Sequence, residues 1–202
     1  MTGDIYEKYK IYIKKELITM CGKTAAENII ELANKHYTEC KVLCRDASKG
    51  EVMHLENTII PMTSFYKALL EVDSENALLN TKTILINLCE KGGKTLNSIL
   101  KLPGMKSGFM KLMPKMAVKL FGRECGFDYE NLRVSNNCIQ MDMMVCPYLK
   151  YANAFNVPEL MHIFCESDFA TYGNLTGITF ERTETLGTGG TKCDFKFFKK
   201  HR

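Results

Sequence analysis

The apolar residues of this chain change from helical to strand period near Gly122, and that change constrains the fold more than any short motif. Before it, apolar side chains recur three and four residues apart. After it, from Cys138 to Cys146, they alternate. A run of helices followed by an antiparallel sheet with one inserted helix is an α+β plan. A chain of 202 residues is long enough for one well-buried core. The expectation is therefore a single α+β domain over 1–202, with an N-terminal helical bundle (1–121) packed on a C-terminal antiparallel sheet with one inserted helix (122–202).

The helical half divides at its own punctuation. Ile5, Tyr9, Tyr12, Ile13, Leu17 and Met20 predict a helix over 4–21, ended by Gly22. Thr24-Ala25-Ala26-Glu27 has the capping-box pattern and opens a helix to about Cys44. Ser48-Lys49-Gly50-Glu51 repeats that pattern and opens another through Ile59. Pro61 is expected to interrupt it, with a restart at Thr63 or Ser64. Asp73 or Ser74 caps a long helix that Gly92-Gly93 closes, and a short helix covers Thr95 to Leu100. Residues 105–121 form a further helix, with Lys106, Lys111, Lys115 and Lys119 along roughly one side. That is also the pattern of a basic amphipathic helix at a membrane surface, but packing on the sheet with solvated lysines is the simpler reading. No apolar run approaches the ~20 residues of a spanning helix, so no stable membrane insertion is expected.

In the second half, Ile139, Met141, Met143 and Val145 are expected to face the core. Cys138, Gln140, Asp142, Met144 and Cys146 face the other way, toward a cavity or solvent. Pro147 ends that strand. Asn156-Val157-Pro158-Glu159 reads as a helix start, with asparagine as the cap and proline in the first turn. Two closing strands, 178–183 and 192–198, are joined by Leu186-Gly187-Thr188-Gly189-Gly190. This loop lacks the lysine and strand-to-helix setting of a P-loop and reads as a hairpin loop. The tail from Phe198 to Arg202 is basic.

A formal net charge of +4 suits an anionic ligand but is too small to argue for nucleic acid, and no nucleic-acid-binding spacing is present. Nine cysteines are an odd count, and no apolar signal sequence precedes the first helix; both predict reduced thiols and a cytoplasmic protein. Cys146, Cys165 and Cys193 are singly placed, and Cys40 and Cys44 lack a second pair with zinc spacing, so neither metal nor cofactor is expected.

Chemistry is expected in Cys165-Glu166-Ser167-Asp168. His162 lies three residues before Cys165 and four before Glu166, so the three can share a helix face. A histidine beside a thiol can lower its pKa, and beside a carboxylate it can move protons; by itself His162 also reads as a packing histidine. Cys193 falls on the apolar face of the last strand. Asp194 is either solvated or a partner for Arg182.

The blocks Cys146-Pro147-Tyr148, Pro158-Glu159-Leu160, Cys165-Glu166-Ser167-Asp168, Ile178-Thr179-Phe180-Glu181-Arg182-Thr183, Thr185-Leu186, Gly189-Gly190 and Cys193-Asp194-Phe195 resemble the family named for L-2-amino-thiazoline-4-carboxylic acid hydrolase. The resemblance spans roughly 50–198 and is most specific over 144–198. It implies hydrolytic opening of a small cyclic amidine toward carbamoyl-cysteine and cysteine. The plan is also similar to the small-ligand-binding vinyl-reductase-type domains, which implies a non-catalytic alternative. For ring opening, Cys165 could attack directly, or Asp168 or Glu166 could activate water, with His162 assisting. Arg182 or Lys192 could hold a substrate carboxylate, with Cys146, Asp142, Cys193 and Asp194 as further pocket residues. The expected partner is thus a small carboxylate-bearing substrate, with a homodimer left open.

Overall fold

The structure, a computed structural model, describes residues 3–200, with side chains from Glu7 onward except Lys8. The side chain of Ile5 and the last residues of the basic tail, His201 and Arg202, lie outside the described residues. The fold is α+β, and two compact units can be distinguished. One comprises the chain up to Leu85 together with Tyr151–Leu160. The other comprises Ile86–Lys150 and the chain from Met161 onward.

The first unit is helical: α1 (Gly3–Cys21), α2 (Lys23–Leu43), α3 (Lys49–His54) and α4 (Ile60–Val72). Gly22, at φ +82°, makes the turn between α1 and α2, so no side chain caps α2 and Thr24 falls inside it instead of capping it. Ser48 does cap α3: its hydroxyl accepts from the Glu51 N–H, and Glu51 accepts from the Ser48 N–H. Pro61 does not interrupt the helical run. The preceding turn, Leu55–Ile59, is π-helical, with Ile60 N–H reaching back to the Leu55 carbonyl. Widening that turn relieves the clash a proline makes with the carbonyl four residues back. The core gathers Ile13, Leu17, Ile29, Ala33, Leu55, Ile59, Phe65 and Leu69.

Pro147 ends the preceding strand as expected, but it also occupies the first position of α7 (Pro147–Ala154), a helix the sequence reading lacked. From Tyr151 onward that helix and the following turn belong to the first unit. Tyr151 Oη donates to Glu51 Oε1 at 3.1 Å, and Tyr66 Oη to Glu159 Oε1 at 2.6 Å. Asn156 is not a helix start. It sits at φ +57° as the left-handed residue that closes α7, with Val157 N–H bonded to the Ala152 carbonyl and Asn156 N–H to that of Asn153. Helix α8 (Leu160–Tyr172) begins four residues later.

The second unit takes up α5 (Ala77–Leu100) from Ile86, and adds α6 (Met105–Leu120), α8 from Met161, and four strands. Gly92-Gly93 does not close α5, which runs through both. At Gly93 a Cβ would lie 2.6 Å from the Thr171 carbonyl oxygen, so the glycine permits close approach of α5 to α8. The strands are β1 (Asp128–Val134), β2 (Cys138–Val145), β3 (Ile178–Glu181) and β4 (Cys193–Lys199), in the antiparallel order β1-β2-β4-β3. Ile139, Met141 and Met143 are buried as the alternation predicts, but Val145 at the strand end is exposed. Leu100, Met110, Ile139, Leu175, Ile178, Phe180 and Phe197 form the core of this unit. Among the described residues no helix is long and apolar enough to cross a membrane.

Candidate functional site

Helix α8 carries Cys165 and Asp168 one turn apart, and the chain leaving β3 brings Arg182 to both. Arg182 Nη1 donates to Asp168 Oδ2 at 2.5 Å, and Nη2 donates to the Cys165 carbonyl at 2.8 Å. The guanidinium also lies over the rings of Phe169 and Phe195, 5.0 and 5.6 Å from their centroids. Only 5% of the Arg182 side chain is exposed, against 31% for Asp168. Arg182 is therefore a fixed internal cation, while Asp168 keeps one side accessible. Burial pushes the Asp168 carboxyl up to about 6, against the pull of Arg182. Even so raised, it is ionised at neutral pH.

Three thiols gather beside this ion pair. Cys193 Sγ accepts from the Leu186 N–H at 3.3 Å. Cys165 Sγ packs on Gly187, where a Cβ would come within 2.8 Å of the sulfur. Cys146 lies ahead of α7, its thiol turned to the N–H groups of Leu149 and Tyr148. Ionising Cys165 or Cys193 would work against ionising Cys146, and ionising Cys165 against ionising Cys193. Burial raises all three: Cys146 to about 12 despite the helix N-terminus, Cys193 to about 11, and Cys165 in the same direction despite the Thr185 side chain and Arg182. At neutral pH these are thiols, not thiolates. Among the described residues, no group of three His, Cys, Asp or Glu side chains is placed to hold a metal ion.

The acids of the central strands form a separate group. Asp142 and Asp194 are direct cross-strand partners, and Asp194 follows Cys193, so strand alternation turns both carboxylates to the face opposite the Cys193 thiol. Asp142 Oδ2 accepts from Lys192 Nζ and Asn131 Nδ2, each at 2.9 Å, whereas Asp142 Oδ1 is buried without a hydrogen-bond partner. Asn131 reaches it from an irregular stretch of β1, at φ +53°. Lys192 is thereby drawn to Asp142. Asp194 is neither solvated nor paired with Arg182. Its Oδ1 accepts from the N–H groups of Thr183 and Glu184, and its Oδ2 from the Thr183 hydroxyl.

The expected residues thus fall into three places. Cys146, Cys165, Asp168, Arg182 and Cys193 come together. Asp142, Asp194 and Lys192 lie on the other face of the sheet. His162 and Glu166 are exposed on α8, one turn apart. Cys146, expected on the face of Asp142, joins the other thiols because the chain leaves the strand before it. Thr185, Gly187, Phe169 and Phe195 line the same region without having been singled out. Only the glycine-rich loop carried a signal, since a backbone that passes a sulfur this closely needs glycine.

No curated protein matches the sequence. Among solved structures, an Fe(II) unliganded H-NOX protein from K. algicida is similar at 12% identity, covering 100% of this chain and 98% of that one, with a TM-score of 0.38. The sequence model of the L-2-amino-thiazoline-4-carboxylic acid hydrolase family matches residues 52–197, which hold Cys146, Cys165, Asp168, Arg182 and Cys193. The chain belongs to the L-2-amino-thiazoline-4-carboxylic acid hydrolase family.

Proposed function

We propose that the chain hydrolyses a small cyclic amidine of the 2-amino-thiazoline-4-carboxylate type, with Asp168 as the base that activates water. The observation that carries this reading is the Asp168–Arg182 pair: an accessible carboxylate, raised toward neutrality by burial and held in place by a buried guanidinium. A base works best when its pKa lies near the working pH. Asp168 takes a proton from water, whose oxygen adds to the ring carbon between sulfur and nitrogen. The carboxylate returns that proton to the ring nitrogen, then carries the second proton from the new hydroxyl to the same nitrogen as the ring C–N bond breaks, leaving a carbonyl on sulfur and a free amine. Direct attack by Cys165 is less well supported, because burial keeps its thiol protonated.

The test is ring opening of the thiazoline by purified variants. Asp168→Asn is expected to lose about 100-fold or more in kcat. Cys165→Ser is expected to stay within about tenfold of the parent. For the parent, kcat/KM should fall as pH drops through about 6, where Asp168 takes up a proton. Full activity in both variants removes the assignment, and loss in Cys165→Ser alone reinstates the thiol as nucleophile. A second reading, a non-catalytic small-ligand site, draws on the protonated thiols and on Arg182 being satisfied internally. Absence of thiazoline turnover by the purified parent would favour it.

A further inference from the structure

Residues 101–123 hold five lysines and one arginine and no acid. This segment has six of the 27 basic groups and none of the 23 acidic ones, so the remainder of the chain, with 21 against 23, is net acidic. This segment is thus one of two strongly positive stretches, the other being the basic C-terminal tail. Helix α6 occupies its centre. Met110, Pro114 and Ala117 face inward, with Phe109 and Met113 packed against the core of the second unit. The opposite side carries Lys111, Lys115 and Lys119, all exposed, on a ridge at i, i+4 and i+8. Beside that ridge an apolar shoulder stands in solvent: Leu112 is 55% exposed, Met116 44%, Met105 38%, and Leu102 in the preceding turn 58%.

Large apolar side chains at this exposure, flanked by lysines and with no acid between residues 101 and 123, match what an anionic bilayer recognises, although Arg123 at the edge of the segment is paired with Asp128. The lysines meet lipid headgroups, and the apolar shoulder enters the acyl boundary. A folded acidic partner would use the ridge but would leave less reason for the shoulder. We propose that the outer face of α6 is a peripheral docking surface for anionic membranes. Binding is in the plane of the interface, since among the described residues no helix is able to cross a membrane.

The experiment is co-sedimentation of the full chain with vesicles of phosphatidylcholine containing about 30% phosphatidylserine, and with phosphatidylcholine alone, at low and physiological salt. The parent should sediment with the anionic vesicles and be released by salt. Lys111→Glu with Lys115→Glu should lower the bound fraction by at least about tenfold. Leu112→Ser with Met116→Ser should lower it comparably, through the lost apolar contact. Circular dichroism of each variant should match the parent, since all four residues are exposed. Failure of the parent to sediment overturns the proposal, as does equal sedimentation of the lysine pair. Indifference to the apolar pair, with undiminished retention on heparin, would reassign the face to soluble polyanions. Thiazoline ring opening in these variants should equal the parent's, so this surface and the hydrolase reading stand or fall separately.

Discussion

Asp194 is buried to 8% exposure, yet it remains a carboxylate because every bond it accepts comes from one short stretch of chain. Burial alone would raise its pKa. The Thr183 hydroxyl and the N–H groups of Glu184 and Thr183 outweigh that and hold it below 3.8. Asp142 is lowered likewise, by Lys192 first, against its own burial, and then by Asn131. Groups with depressed folded pKa values contribute stability that is complete above the unfolded value and is lost as pH falls below it. Urea midpoints should therefore decline below about pH 4, and less steeply in Asp194→Asn. Asp194→Ala should cost about 2–3 kcal/mol at neutral pH, because it strands two backbone donors. Asp168 has the opposite sign. Its folded pKa is raised, so its contribution favours the folded state in acid and is lost as pH rises through about 6.

Helix α5 contains two adjacent glycines with opposite surroundings. Around Gly92 a Cβ would meet nothing within 4 Å, whereas at Gly93 it would press on the carbonyl oxygens of Thr171 and Ala170, at 2.6 and 3.0 Å. Gly92→Ala should stabilise by about 0.5–1 kcal/mol through helix propensity alone. Gly93→Ala should destabilise by about 1–3 kcal/mol, since backbone must move. Thermal melts of the two single variants check both signs. Local chemistry shows what the sequence could disclose at this scale. The Ser48 capping box and the alternation of β2 were legible because each is complete within a few residues. Gly92-Gly93 read as a helix end because the reason for Gly93 lies on α8, 78 residues away in sequence. Asn156 read as a cap because the left-handed conformation it adopts is open to asparagine in either role. In the site, the thiols were legible as candidates, but the pairing of Arg182 with Asp168 in place of Asp194 was not. The sequence offers Arg182 two acids, and only the packing of α8 over β3 and β4 decides between them.

Across the whole molecule, the chain leaves the first unit at Leu85 and returns to it at Tyr151. The returning segment brings Phe155 and Val157, at 0% and 1% exposure, and the Tyr151–Glu51 and Tyr66–Glu159 hydrogen bonds. Truncating the chain after residue 100 should therefore leave helices without a cooperative core. Circular dichroism of that fragment should show a broad, shallow urea transition, and a sharp one would mean that the first helices suffice by themselves. Vectorial synthesis meets the same discontinuity. When Leu85 leaves the ribosome, the first unit still lacks about 75 residues of chain before its last segment is made. At ~5–20 residues per second that is a wait of roughly 4–15 s. For that interval the apolar side chains of the first unit that Phe155 and Val157 will pack with have no cover from the returning segment.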